Sequence, residues 1–314
     1  MIRGALQRVK VAYRPATHKA FNCHVKTFVS FTIMKGLPFR CTESILLAFV
    51  EFLQRGGLSP QVIRNYMSSL KSMATKYDWD LSAFNGFTVN LLLKSLSVNS
   101  EFNPRSKQVI DVKTLENISM ACDGLRDPIL FRAIFLTAFF AFFRISNIAP
   151  HSVAAFSNSK HLLRKDVLFA PPGAHILQKW SKSMQISTDY RFIQIPSLNN
   201  PLLCPVTAIR RLLRSRNANK DSPLFITSQG ITVLDTAIRE ALRTVLQSLG
   251  LVHEGLSFHM FRRSGATLAF DSNVRLEHIK IHGGWKSEAV WAYLGQSSVA
   301  PSMVAKTFQT VINK

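Results

Sequence analysis

The feature that most constrains the fold is an apolar run over residues 133–143, which is closed by Arg132 on one side and Arg144 on the other. Its eleven residues are too few for a transmembrane helix, which needs about 20 apolar residues. We therefore expect a buried helix that ends at Arg144. Hydrophobic residues make up 47% of 314, enough apolar material for two domains.

The second constraint is charge. Lys and Arg number 39 against 18 Asp and Glu, which gives a net charge of +21. Such an excess repels itself, and a compact fold tolerates it best beside a polyanion. Each phosphate that meets Lys or Arg releases counterions, so nucleic acid is the leading partner. An anionic membrane surface is the alternative, but we find no convincing amphipathic cationic helix for it.

Cysteine usage bears on the compartment. The four cysteines are Cys23, Cys41, Cys122 and Cys204. They are far apart and form no CxxC pair, which is typical of reduced, mostly buried thiols in an intracellular protein. The basic segment 1–16 lacks the apolar core of a secretory signal.

The composition along the chain divides it into two domains. We predict a basic N-terminal tail at 1–16 and a helical domain at 17–103. The polar stretch 99–108 contains a proline, and we place the linker within it at 104–107. The second domain then covers 108–314.

Within the first domain, the helix at 61–77 has a well-marked start. Gly56 and Gly57 end the preceding helix, Ser59 is the N-cap, and Pro60 occupies the first helical position. The predicted apolar face contains Val62, Tyr66, Leu70 and Met73. The basic residues Arg64, Lys71 and Lys76 form either a solvated face or a DNA-facing one.

The second domain changes character at 163–197. Short stretches rich in Val, Ile, Leu and Phe are broken at 171–173 and 181–189, which predicts two or three antiparallel strands. Helical periodicity returns at 205–217, 233–249 and from 259 to the C-terminus. The fold class is therefore mainly α with a small antiparallel β-sheet.

Taken alone, the motifs that could carry chemistry are weak. HxxR occurs twice, at 259–262 and at 161–164. His278 and His282 have the i, i+4 spacing of zinc ligands on a helix, but no Glu follows His278 and no third ligand is evident. We therefore predict no metal site.

The combination of residues is more informative. Arg144 stands in AFFRISNI and Lys182 in KWSKSMQ. His259 and Arg262 stand in SFHMFRRSGAT, and Trp285 and Tyr293 in HGGWKSEAVWAYLG. In order, wording and spacing this set resembles the active site of the tyrosine recombinases, the phage-integrase-like family, over about residues 19–293. The wording is most similar to recombinases of eukaryotic mobile elements, which would imply a nuclear protein.

The resemblance assigns roles to the polar residues around a scissile phosphate. Attack on a phosphodiester places extra negative charge on the non-bridging oxygens, and fixed cations lower that barrier. Arg144 and Arg262 would clamp the phosphate, because a guanidinium holds it at two points. His259 and Trp285 would each donate a hydrogen bond. Trp285 takes the place where many relatives have His, and its indole N–H can donate but not exchange a proton.

Tyr293 would be the nucleophile, since nearby guanidinium groups favour its phenolate. The product would be a 3′-phosphotyrosine intermediate and a free 5′-hydroxyl, whose proton Lys182 would supply. Lys179 is a competitor for that role. The covalent link retains the energy of the broken bond, so the resemblance implies no cofactor and no metal.

Each residue also has a structural alternative. Arg144 could cap a helix C-terminus, and Trp285 and Tyr293 could be core aromatics. His282 could take the role given to Trp285. Relatives usually carry an acidic residue at the position of Asn147, and its absence puts full catalytic activity in doubt.

The family resemblance also implies an assembly. Members are two-domain DNA clamps, with a helical core-binding (SAM-like) domain and a mixed α/β catalytic domain, and four protomers act on two duplexes. An apolar stripe of Val304, Phe308, Val311 and Ile312 predicts a short C-terminal helix, which would dock on its own domain or on a neighbour. The rival functions are an inactive DNA-binding relative and a type IB topoisomerase.

Overall fold

The computed structural model describes residues 15–98, 108–181, 190–251 and 256–294. It divides the chain into two compact units, Met1–Pro104 and Arg105–Lys314. The predicted linker at 104–107 and the C-terminal stripe at 304–312 lie outside the described residues, as do residues 1–14 of the predicted tail.

The first unit is helical. Its helices are α1 (Pro15–Met34), α2 (Glu43–Arg55), α3 (Pro60–Lys76), α4 (Ser82–Asn85) and α5 (Phe87–Val98). Aromatic side chains fill the core, where the Phe28 and Phe49 rings meet edge to face with centroids 5.0 Å apart. Both rings belong to a cluster of buried side chains that forms the core of this unit.

The junction between α2 and α3 agrees with the prediction. Gly57 adopts φ +74° directly after α2, a conformation that glycine reaches without a Cβ penalty. The Ser59 hydroxyl accepts a hydrogen bond from the Val62 amide at 3.4 Å, and Pro60 opens α3. The predicted helix stop and start are confirmed.

The predicted core face of α3 was wrong by one position at its start. The buried side chains are Ile63, Met67, Leu70, Met73 and Ala74, whereas Val62 and Tyr66 are only half-buried. Both stripes fit a helical period because Val62 and Ile63 are adjacent apolar residues. Tyr66 instead lies beside the imidazole of His24, with ring centroids 4.0 Å apart.

Two basic residues of α3 hold the unit together. Arg64 Nη2 donates to the Leu93 carbonyl at 2.8 Å and to the Ser97 hydroxyl at 2.5 Å on α5. Lys71 Nζ donates to Asn85 Oδ1 at 2.8 Å. These contacts give both side chains a structural role within the unit.

The second unit contains a small sheet among helices. The helices are α6 (Val112–Ala121), α7 (Pro128–Phe140), α8 (Ile145–Ile148), α9 (Pro205–Ser215), α10 (Asp235–Ser248), α11 (His259–Asp271), α12 (Leu276–Gly283) and α13 (Trp291–Leu294). The strands are β1 (Val167–Ala170), β2 (Gly173–Gln178) and β3 (Arg191–Pro196), antiparallel in the order β1-β2-β3. The fold is mainly α with a small antiparallel sheet, as predicted.

The sheet packs one face on the core. Ile176 and Ile193 are directly opposite each other and both are buried. A Cβ on Gly173 would lie 2.0 Å from the Ile195 carbonyl oxygen, so only glycine lets β2 and β3 approach at this point. The last pair of the ladder is Gln178 opposite Arg191.

The central helix α7 is buried, but it does not end at Arg144 as predicted. It ends at Phe140, and Phe142 adopts φ +50°. The Phe143 amide bonds to the Ala138 carbonyl at 3.0 Å and the Phe142 amide to the Phe139 carbonyl at 3.4 Å, the pattern of a Schellman helix end. Glycine usually occupies this position, so the sequence carried no stop signal.

The predicted helical segment after residue 259 is also interrupted. Its described part, up to residue 294, contains α11, α12 and α13, and Gly284 ends α12 at φ +68°. Among the described residues, no helix is long and apolar enough to cross a membrane. All four cysteines are free thiols, and only Cys23 is exposed.

Candidate active site

Helix α11 supplies the histidine and one arginine of the candidate site. His259 is its first residue and Arg262 follows one turn later. Because residues i and i+3 lie on one helix face, both side chains point the same way. Arg262 is 1% exposed, which is rare for a charged side chain.

Tyr293 meets this face from α13. Its hydroxyl lies 2.7 Å from His259 Nε2, and the two ring centroids are 5.2 Å apart. The Thr267 hydroxyl on α11 donates to the Tyr293 carbonyl at 3.2 Å and fixes α13 to α11. The short distance between the hydroxyl and Nε2 allows a proton to pass between phenol and imidazole, and the histidine tautomer decides which of them donates.

Arg262 lies beneath the aromatic side chains of the site. Its Cζ is 3.8 Å from the centroid of the Trp285 ring and 5.6 Å from that of Tyr293. Nη1 donates to the Phe142 carbonyl and Nη2 to the Gly283 carbonyl at 3.0 Å. Burial lowers the pKa of Arg262 to about 9, and the charges of Arg144 and Arg191 contribute to that decrease.

Trp285 brings a buried indole N–H to the site. The side chain is 8% exposed, and Nε1 is buried without a partner in the described parts of the chain. Its ring packs edge to face on Tyr293 at 5.1 Å. A Cβ on Gly283 would lie 1.6 Å from the Trp285 ring. The first glycine of HGGW is therefore needed to admit the indole.

Asn147 connects the Arg144 segment to the β2–β3 hairpin. Asn147 is 2% exposed, and its Oδ1 accepts from the Arg144 amide at 3.1 Å. Its Nδ2 donates to the Trp180 carbonyl at 2.7 Å. A carboxylate could accept the first bond but could not donate the second. Arg144 is the residue directly before α8, and since α7 ends at Phe140, Arg144 is not the C-terminal cap of α7.

Of the two candidate lysines, the structure describes one. Lys182 lies outside the described residues. Lys179 forms an ion pair with Asp166 at 2.5 Å, and the two side chains are 9% and 3% exposed. Asp166 Oδ2 also accepts from the Leu163 amide at 2.7 Å. Lys179 is thus part of the scaffold beneath the hairpin.

His282, which could have replaced Trp285 in its role, is bound within the fold. Its Nε2 donates to the Phe140 carbonyl at 2.8 Å, and burial lowers its pKa. His278, the other histidine of the i, i+4 pair, is exposed. In the described part of the chain no three His, Cys, Asp or Glu side chains lie together as metal ligands would.

Two residues at the site escaped the sequence reasoning. Phe142 offers its carbonyl to Arg262, and its ring packs on Trp285 at 6.2 Å. Arg191 on β3 donates from Nε to Gln178 Oε1 and from Nη1 to the Ile281 carbonyl, both at 2.6 Å. The only signal for Arg191 was a charged residue at the start of an apolar strand.

The electrostatic character of the site is positive. Burial lowers the pKa of Arg191 to about 10, and the charge of Arg144 adds to that decrease. No carboxylate among the described residues forms an ion pair with Arg144, Arg191 or Arg262. Cations gathered without an acidic partner favour an anionic ligand.

Comparisons with known proteins find similarity in structure but not in sequence. No protein-family model matches the chain, and no curated protein is similar in sequence. Solved structures do match. The XerH site-specific recombinase, bound to a palindromic difH substrate in a post-cleavage complex, superposes with a TM-score of 0.60 at 19% identity over 85% of this chain and 72% of that one.

Two further structures agree. The Tn1549 transposon integrase in complex with transposon right end DNA gives a TM-score of 0.57 at 14% identity over 84% of this chain and 85% of that one. A lambda integrase dimer bound to a COC′ core site gives 0.56 at 13% identity over 93% and 94%. These structural neighbours are tyrosine recombinases and integrases, and the chain therefore has the fold of that family.

Proposed function

We propose that this protein is a site-specific DNA recombinase or integrase that breaks and rejoins strands through Tyr293. One observation carries the proposal: the Tyr293 hydroxyl lies 2.7 Å from His259 Nε2, above the buried guanidinium of Arg262. A hydroxyl, a proton acceptor and a fixed cation in contact are what nucleophilic attack on a phosphodiester needs.

The proposed reaction balances without a cofactor. The Tyr293 oxygen bonds to phosphorus, and the bond from phosphorus to the 5′-oxygen breaks. The phenol proton passes to His259. The leaving 5′-oxygen takes a proton from Lys182, a role that rests on the family resemblance alone. A 5′-hydroxyl of another strand then attacks the 3′-phosphotyrosine and releases Tyr293.

The remaining polar groups bind the phosphate. Trp285 Nε1 has no acceptor among the described residues, and a phosphate oxygen would supply one. The positive charges of Arg144 and Arg262 stabilise the transition state more than the bound substrate, because negative charge develops on the phosphate oxygens. Asn147 holds Arg144 through its backbone, so the neutral amide retains the positioning role of the usual acidic residue.

The proposed partner is double-stranded DNA. The net charge of +21 and the lack of an acidic partner at the three arginines, among the residues that the structure describes, support this. The three structural neighbours are all protein–DNA complexes. We also propose the two-domain clamp predicted above, a tetramer on two duplexes and an origin in a mobile element.

Covalent trapping tests the proposal. The protein is incubated with nicked duplexes drawn from a random pool, so that cleavage releases a short fragment and the adduct cannot religate. Tyr293→Phe removes the nucleophile. Tyr190→Phe is the matched control, because it removes the same hydroxyl from a residue that is 60% exposed.

We expect an adduct from the parent and from Tyr190→Phe, and none from Tyr293→Phe. DNA binding without an adduct on any duplex would indicate an inactive clamp and would refute the proposed chemistry. Relaxation of a supercoiled plasmid without paired sites would favour a type IB topoisomerase instead.

A further inference from the structure

A third guanidinium reaches the active site from the sheet. Arg191 is the first residue of β3, and its Nε donates to Gln178 Oε1 at 2.6 Å across the strands. Its Nη1 donates to the Ile281 carbonyl at 2.6 Å. The side chain therefore spans from the sheet to the last turn of α12, directly before Trp285.

The backbone around Trp285 makes room for this guanidinium. A Cβ on Gly284 would lie 2.6–2.7 Å from the Arg191 guanidinium atoms, and Gly284 also has φ +68°. The neighbouring Gly283 carbonyl accepts from Arg262 Nη2 at 3.0 Å. Two guanidinium groups thus hold the same turn, and the second glycine of HGGW is explained by the approach of Arg191.

Holding the turn accounts for only part of this arrangement. Cations are favoured at a helix C-terminus, and both guanidinium groups donate to carbonyls in the last turn of α12. Arg191 and Arg262 also lie close together, because they donate to the carbonyls of Ile281 and Gly283, two residues apart. Burial is the main cause that lowers the pKa of both guanidinium groups, and the charge of Arg144 adds to both decreases. Like charges in a partly buried site repel strongly, and the neutral Asn147 offers no compensation.

The remaining donor of the Arg191 guanidinium is its Nη2 nitrogen. Nε and Nη1 donate to Gln178 and Ile281, whereas Nη2 makes no hydrogen bond to the described residues and is not buried among them, so a ligand can reach it. An anion that enters between the three arginines would satisfy this donor and relieve the repulsion. A phosphate fits, because planar guanidinium groups bind its oxygens with directed hydrogen bonds.

We propose that Arg191 is a third phosphate-binding residue, which donates from Nη2 to the DNA phosphate that Arg144 and Arg262 bind. The inference rests on the proposed function and extends it by one residue. It also gives Arg191 two roles, since the same side chain positions the turn that carries Trp285.

Inorganic phosphate serves as the probe. Phosphate that binds the folded state raises the melting temperature in proportion to the logarithm of its concentration over Kd. The full chain is titrated at constant ionic strength, with Arg191→Gln and Arg191→Lys as variants. Arg239→Gln is the matched control, because Arg239 is an exposed arginine that forms an ion pair with Asp235 at 3.7 Å on α10 and is not one of the three proposed phosphate-binding arginines.

We expect Arg191→Gln to raise the phosphate Kd about tenfold, the usual order for a lost hydrogen bond to a charged group. Arg239→Gln should match the parent. Arg191→Lys should fall between parent and Arg191→Gln, since it keeps the charge but not the planar fork. If Arg191→Gln does not fold, the phosphate Kd of Arg191→Lys is compared with that of Arg239→Gln, and equal values overturn the inference.

Three results would overturn the inference: no phosphate effect in the parent, equal effects of Arg191→Gln and Arg239→Gln, or no difference between the Lys and Gln variants. The last would mean that Arg191 only holds the turn. The two proposals can fail separately. If Arg191→Gln forms the adduct at the parental rate, the proposed recombinase function stands and the role of Arg191 is refuted. If phosphate binding depends on Arg191 but no adduct forms, the role of Arg191 stands and the recombinase function is refuted.

Discussion

The two HxxR segments of this chain have the same spacing and different fates. His259 and Arg262 lie one turn apart on the helix α11, where His259 contacts Tyr293 and Arg262 contacts both Tyr293 and Trp285. His161 precedes a short 3-10 turn, where its Nδ1 accepts from the Ser157 amide at 3.0 Å and its ring stacks on Phe156.

The arginine of the second segment confirms the contrast. Arg164 Nη2 donates to the Leu213 carbonyl at 2.7 Å, at the end of α9. Outside a regular helix, the i, i+3 spacing does not bring side chains to one face. The motif therefore has chemical meaning only where the secondary structure aligns its side chains with a third group, here the Tyr293 hydroxyl.

The largest difference between the segments is expected for the arginines. Arg262→Lys should slow adduct formation on saturating nicked duplex by about 10²–10³, the effect of losing one transition-state donor. Arg164→Lys should leave that rate within a factor of about two once folding is matched, since Arg164 acts on the stability of the fold and not on the phosphate. Single-turnover kinetics measures both. Equal slowing of the two variants would break the comparison.

The histidines should differ nearly as much. His259→Gln removes the proton acceptor and should lower the cleavage rate by about 10², the lower range of general-base catalysis. His161→Gln should keep the parental cleavage rate. An unchanged rate in His259→Gln would show that its contact with Tyr293 has no part in the reaction.

A smaller effect is expected at the tryptophans. Trp285→Phe keeps an aromatic ring beside Arg262 but loses the orphan N–H, and should cost about tenfold in cleavage rate for one bond to a charged group. Trp291→Phe is the control, since Trp291 is 48% exposed and bonds to Glu288 at 2.9 Å. Parity between the variants would remove Trp285 from the phosphate site.

The smallest effect concerns stability. Burial lowers the pKa of His161 below its ordinary value, so the folded state resists protonation more than the unfolded state does. Its stabilising contribution is present above about pH 6.5 and is lost as the pH falls towards the folded pKa. The free energy of unfolding should therefore decrease less on acidification in His161→Gln than in the parent. An identical decrease would contradict the burial of this imidazole.

The features that depend on local signals could be predicted from the sequence. Gly57, Ser59 and Pro60 indicate the start of α3, and the apolar stretches indicate the sheet. The end of α7 escaped because Phe142 adopts φ +50°, which costs a non-glycine residue about 1–2 kcal/mol and is held by contacts far along the chain. The hydrogen bond from Arg262 to the Phe142 carbonyl offsets part of that cost.

The candidate site divides in the same way. The motifs in the sequence predicted which residue types form the site. The hydrogen bonds of Arg191 to Gln178 and Ile281 could not be predicted, because they depend on strand register and on where α12 ends. These are long-range facts that no short window contains. Asn147 was noticed only as a departure from the family, whereas its amide donates a bond to the Trp180 carbonyl that a carboxylate could not.

The most direct test of the account is to locate the covalent bond. The trapped adduct is digested with nuclease and protease, and mass spectrometry identifies the modified peptide. The account predicts a nucleotide joined by its 3′-phosphate to Tyr293, and a released strand with a free 5′-hydroxyl that a kinase can label. A nucleotide on any other residue, or a 5′-phosphate on the released strand, would contradict it.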